Sequence, residues 1–227
     1  MKRGRKPTID AADITRAAIA VADAEGLASV SMARVAQEMG NATMALYRHV
    51  KSKDELLTLM ADAAMDEPPP LPDGDWREQL GFWAKAVLEA IRKRPWFLQI
   101  PISGPPTGLT SLAWLDSALG ALRDTPLEAG EKVGVVMGLM TFVHGEARLG
   151  VTLAQGFEDD PAAFGSQYGK VLREIVDPRR MPALAEVLDS GVFDLDDVAA
   201  AEDVEAEFDF GLHLFLEGVA THIGGRA

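Results

Sequence analysis

The stretch TMALYRHVKSKDELL, residues 43–57, gathers threonine, methionine, tyrosine, arginine, histidine and two lysines into one short segment of a chain whose formal net charge is −13. These side-chain types meet nucleic acid well. Cations take phosphate oxygens, while short polar and apolar groups at the front of a helix reach base edges or the thymine methyl in the major groove. On that chemistry Thr43, Met44 and Tyr47 are placed against bases, and Arg48, His49, Lys51 and Lys53 against phosphates. Arg34, one helix earlier, completes the candidate set. Singly, each residue has an ordinary explanation. Leu46 reads as core, Tyr47 as partly a packing residue, His49 as structural or phosphate-bound rather than catalytic, and Lys51 and Lys53 as a solvated face. The ensemble is what points to nucleic acid.

Presenting these side chains takes two helices joined by a tight, glycine-containing turn, the second of them short. The flanking residues predict that arrangement. Asp10 caps a first helix with Asp13 in its first turn, a stripe of Ile14, Ala17, Ala18, Val21 and Ala22, and a stop at Gly26. Ser31 caps a second that turns Met32, Val35, Ala36 and Met39 inward and ends at Gly40; a third runs from about Thr43 to Val50. SKDE, residues 52–55, reads as a capping box opening a fourth through Leu56, Leu57, Met60 and Ala64, with Lys53 in its first turn, where backbone N–H groups also favour an anion. The stiff connector EPPPLPDGD, residues 67–75, then divides the chain into an N-terminal domain, 1–66, and a C-terminal domain, 67–227.

Beyond the connector, Trp76, Leu80, Trp83, Val87 and Ile91 fall at helical spacing, followed by a helix carrying Leu112, Leu115, Leu119 and Leu122. Two later segments, Val133 to Val143 and Phe208 to Val219, are apolar nearly all round and have too much apolar surface for one core. Between them Asp160 and Pro161 predict a helix start, and Pro182 to Leu188 a short helix. With no convincing alternating strand pattern, the fold class is all-α.

Charge divides the chain in the same way. Residues 1–60 hold nine Lys and Arg against seven Asp and Glu, a net of +2, whereas the remainder holds 13 against 28, a net of −15. A mildly basic head sits on an acidic body, and the tail Lys2 to Lys6 adds cations for nonspecific or minor-groove contacts. Cysteine is absent, which excludes disulfides, thiolate metal sites and a cysteine nucleophile. Nothing supplies a partnered metal motif, a nucleophile with its base or a phosphate loop, so neither an enzyme nor a cofactor is expected. The basic N-terminus is not followed by an apolar run of signal-peptide length, and no segment reaches 18 uninterrupted apolar residues, so a cytoplasmic chain with no membrane partner is expected.

The run AAIAVADAEGLASVSMARVAQEMG through LYRHVKSKDELL resembles, ungapped, the DNA-binding domain of the TetR family of bacterial transcriptional regulators, in particular at Gly26, Ser31, Ala36, Gly40, Leu46, Tyr47, His49, Lys53 and Leu56. The closing FDFGLHLFLEGV resembles the last helix of the tetracycline-repressor subgroup. The resemblance implies a helix-turn-helix repressor, double-stranded DNA with a near-palindromic operator, a homodimer joined by a four-helix interface, and a small-molecule effector bound in the C-terminal domain. Val133 to Val143 and Phe208 to Val219 are assigned to that interface, and Trp83, Trp96, Phe97, Trp114, Met137, Met140 and Phe142 to an apolar cavity. His144, Glu146 and Arg148 are candidate polar anchors. Departures limit the carry-over. Ala42 stands where the family commonly has Ser or Thr, so Asn41 or Thr43 is expected to cap the recognition helix; Asn41 replaces an apolar residue, and Ala33 replaces a base-reading arginine. The subgroup's magnesium-chelated drug uses a middle-region histidine, yet the four histidines here are His49, His144, His213 and His222. No metal site is therefore expected, and an apolar or aromatic effector is favoured. The rival reading is a helical lipid or acyl-chain carrier without specific DNA binding.

Overall fold

The computed structural model describes residues 9–101, 104–159, 168–194 and 197–225, and every regular element among them is helical. The basic tail, Lys2 to Lys6, and the helix start expected at Asp160 and Pro161 lie outside the described residues. Contacts divide the chain into two compact units, Met1–Val136 and Met137–Ala227. The division falls within a long helix rather than at the proline connector.

In the first unit, α1 (Ala11–Glu25) starts on a complete capping box, the Asp13 N–H donating to the Asp10 carboxylate at 2.8 Å while Asp13 answers the Asp10 N–H. It stops at Gly26, whose φ of 81° is open to glycine at little cost. A short 3-10 turn, Leu27–Ser29, leads to α2 (Met32–Glu38), capped by Ser31 through the Arg34 N–H at 3.1 Å. α3 (Thr43–Leu46) and α4 (Lys53–Ala63) follow. Ile14, Ala18, Val30, Val35, Leu46, Val50, Leu56 and Met60 are all 0% exposed and form one core. Sealing a single leucine there contributes about 2 kcal/mol.

Two details differ from the expectation. α-helical backbone in α3 ends at Leu46, and the chain tightens to Val50 through His49 N–H to Leu46 O at 2.9 Å and Val50 N–H to the same oxygen at 3.0 Å. SKDE is also half a capping box: Ser52 Oγ accepts from the Glu55 N–H at 3.0 Å, but Glu55 reaches the Lys51 N–H at 2.6 Å, one residue further back.

α5 (Trp76–Lys93) begins with a full capping box from Asp75, and a 3-10 turn, Pro95–Gln99, ends that arm. α6 (Leu109–Ala121) buries Trp114, Ala118 and Ala121, and of the predicted leucine stripe Leu122 just after it is fully buried, Leu115 and Leu119 are half-buried and Leu112 is exposed. The bulkiest side chain chose the buried face. Polar bonds stitch α5 and α6 to the helices before the connector, which explains why that connector does not separate the compact units. The Trp96 indole donates to Asp23 Oδ1 at 2.7 Å, Arg94 Nη1 to the Ala64 carbonyl at 2.7 Å, and the Trp114 indole to the Asp66 carbonyl at 2.9 Å.

α7 (Ala129–Asp159) carries the division between the units. The second unit comprises the rest of α7, α8 (Tyr168–Ile175), α9 (Pro182–Asp189) and α10 (Asp197–Gly224). Gly138 faces the Phe215 ring, while Phe142 lies against Gly211 and stacks on Phe208 at 5.4 Å, so α7 and α10 run antiparallel. Arg173 grips Asp194 with both guanidinium nitrogens and holds α8 to the loop after α9.

Candidate nucleic-acid interface

The turn before α3 is closed by backbone alone. The Asn41 N–H donates to the Ala36 carbonyl at 2.8 Å and the Gly40 N–H to Gln37 at 3.0 Å, the paired bonds of a Schellman stop, with Gly40 at φ 64°. Asn41 occupies the position after the glycine, where such stops usually place an apolar contact. Instead its side-chain amide donates to the Met39 carbonyl at 2.8 Å. It does not cap α3. Nor does Thr43: the capping position belongs to Ala42, in extended backbone with no side-chain bond to offer.

From this turn the α3 segment divides its side chains cleanly. Leu46 and Val50 go fully inward, whereas Met44 is 72% and Tyr47 43% exposed, Arg48 and His49 are exposed, and Thr43 is half-buried. Lys51 and Lys53 are exposed, and Lys53 is the first residue of α4. Seven of the eight predicted contact residues thus gather along one continuous segment and its junction with α4.

Arg34 is the departure. Its Nε donates to Glu25 Oε1 at 3.1 Å, its Nη2 to the same oxygen at 2.5 Å, and its Nη1 pairs with Glu38 Oε2 at 2.9 Å. The bond from Arg34 holds the Glu25 carboxyl below the usual carboxylate range, and Glu25 and then Glu38 raise Arg34 in turn. With two carboxylates already on its guanidinium, Arg34 latches the end of α1 to α2 instead of offering a bare cation to DNA. Glu38, four residues on, was a visible partner; Glu25, on a different helix, was not.

The predicted cavity residues are also redistributed. Trp96 and Phe97 pack against the head's own core. Trp83 and Trp114 are buried edge-to-face at 6.0 Å, the Trp83 indole donating to the Trp114 carbonyl at 3.0 Å. These rings are packing staples with their N–H groups satisfied. In the second unit Met137 is 51% exposed, whereas Met140 and His144 are half-buried. Burial, then the nearby Arg148, lowers His144 below the ordinary imidazole value and favours its neutral form. An open groove of about 650 Å³ between α1 and the α2–α3 turn is lined by Asp13, Arg16, Glu38 and Asn41, among others, and involves none of these aromatics.

Residues 14–60 match the family described as bacterial regulatory proteins, tetR family, and residues 68–223 the tetracyclin repressor-like C-terminal domain. The HTH-type transcriptional repressor DrrR1 of Streptomyces coeruleorubidus is 33% identical across 99% of this chain and 82% of its own length. Apo ActR from Streptomyces coelicolor matches with a TM-score of 0.79 at 25% identity, covering 98% of this chain and 100% of that one. ActR in complex with actinorhodin matches with a TM-score of 0.75 at 24% identity, covering 95% and 99%. The helix-turn-helix geometry of the head and matches that together run from residue 14 to residue 223 lead to one conclusion: the chain belongs to the TetR family of bacterial regulatory proteins and is a DNA-binding transcriptional repressor.

Proposed function

We propose that the protein works as a cytoplasmic, non-enzymatic homodimer, with residues 1–66 holding a near-palindromic operator and residues 67–227 binding a small apolar or aromatic effector that releases it. The observation that carries this reading is how the two units treat their outward side chains. The α3 segment exposes Met44, Tyr47, Arg48 and His49 around a closed core, while α7 and α10 expose Met137, Leu149, Phe210 and Leu214. The first set suits bases and phosphates. The second is apolar surface left uncovered on two neighbouring helices, and a twofold contact there would cover it once per subunit. Two copies of α3 would then lie about one DNA turn apart, or a multiple of it. No helix among the described residues is long and apolar enough to cross a membrane.

For the effector, support comes from ActR, which has been solved with actinorhodin, and from half-buried Met140 and neutral His144, which offer an apolar wall and an uncharged polar contact. The effector acts by preferring a conformation in which α4 no longer holds the two heads at operator spacing, and it shifts that equilibrium only by its differential affinity.

Selection from random duplexes with the purified protein, without effector and at near-physiological salt, tests this function. An inverted repeat is expected. Retention of no preferred sequence by folded, dimeric protein would return the weight to a ligand carrier.

A further inference from the structure

We propose that Asp62 is a positioning residue for operator binding: by capping α6 from α4, it ties the reading head to the helix behind it. This rests on the operator-binding reading above. Asp62 lies in the last turn of α4, where a carboxylate faces the negative end of its own helix dipole. Its stabilising partners are elsewhere. Oδ1 accepts from both the Ser111 N–H and the Ser111 hydroxyl, each at 2.8 Å. Ser111 is the third residue of α6, so this is the bond a helix's own capping side chain would make. The capping position of α6 belongs to Gly108, which has no side chain for the purpose.

Gly108 also makes the approach possible. A Cβ there would lie 2.0 to 2.5 Å from the Asp62 carboxylate atoms. Two further bonds grip the same end of α4, from the Trp114 indole to the Asp66 carbonyl at 2.9 Å and from Arg94 Nη1 to the Ala64 carbonyl at 2.7 Å. The first turn of α6 is therefore capped only while α4 holds its place. The opposite end of α4 begins with Lys53, a proposed phosphate contact. By linkage, a duplex that fixes α4 tightens the Asp62–Ser111 bond, and anything that displaces the start of α6 loosens the duplex.

The test is amide exchange at Ser111 in the full-length protein, without DNA and with the duplex recovered by selection. The duplex is expected to slow Ser111 exchange by about five-fold or more, the lower end of usual coupling factors. Asp62→Asn keeps that slowing, because its amide oxygen still accepts. Asp62→Ala abolishes it and lowers operator affinity with an unchanged salt slope, since no phosphate contact is lost. Equal or faster exchange at Ser111 in the duplex-bound wild-type protein overturns the proposal, and this comparison decides even if Asp62→Ala does not fold. A merely structural cap gives that equal rate. The two failures differ: a bound duplex with unchanged Ser111 exchange removes only this inference, whereas retention of no preferred duplex removes the operator reading and this inference with it.

Discussion

The head and the second unit solve the burial problem in opposite ways. In the head, Ile14, Leu46, Val50, Leu56 and Met60 are sealed at 0% exposure, and what remains outside is polar, cationic or, at Met44 and Tyr47, concentrated on one short segment. In the second unit, α10 buries Phe208, Leu212, Leu216 and Val219 but leaves Phe210 65% and Leu214 56% exposed. Apolar side chains in the head were needed for one core. Those on α10 serve two faces, and only one is satisfied within the described unit. A large exposed apolar face marks a place where another surface belongs.

That contrast breaks most visibly at Leu214. Leu214→Lys would bury an unpaired charge at the proposed twofold contact, at a cost of several kcal/mol. The expected outcome in sedimentation is a monomer that has lost most of its operator affinity; an unchanged dimer would mean that α10 is not the interface. Leu46→Ala should instead cost about 2–5 kcal/mol in denaturant unfolding through the cavity left in the head. Its effect should not depend on protein concentration, whereas melting of the wild-type dimer should.

A finer division runs within the head. Lys53→Ala should reduce the salt slope of operator binding by about one, while Arg34→Ala should leave the slope unchanged because its guanidinium is already held by Glu25 and Glu38. Acid titration separates the same pair. The hydrogen bond from Arg34 holds the Glu25 carboxyl below the ordinary carboxylate range in the folded protein, so its contribution is complete above that range and is lost as pH falls through the lower folded value; Arg34→Ala should flatten this acid loss. The smallest expected effect is a gain: Ala42→Ser, in extended backbone at the capping position of α3, should add about 0.5–1 kcal/mol to the head, read as a rise in denaturation midpoint.

What was legible in the sequence follows one rule. Asp10, Gly26, Ser31, Gly40 and Ser52 stand where caps and stops were expected, because each acts on backbone within a few residues of itself. The exposed α3 segment was legible for the same reason, since helical spacing separates Leu46 and Val50 from Met44, Tyr47 and Arg48. The pairing of Arg34 was not legible because Glu25 reaches it from another helix. The place of Trp96 and Phe97 against the head's core was not legible, because an aromatic ring suits a ligand wall and a packing core equally well, and what it meets decides between them.

The amino-acid order by itself therefore determined the helices, the turn that aims α3, and the cationic and aromatic character of that segment, all through interactions spanning a few residues. The tertiary structure alone decided which long-range partners close. It set Arg34 on Glu25, Trp96 on Asp23, and Asp62 at the start of α6. These bonds join residues from nine to 73 positions apart. No local pattern specifies such pairs, because their geometry exists only after the helices have packed.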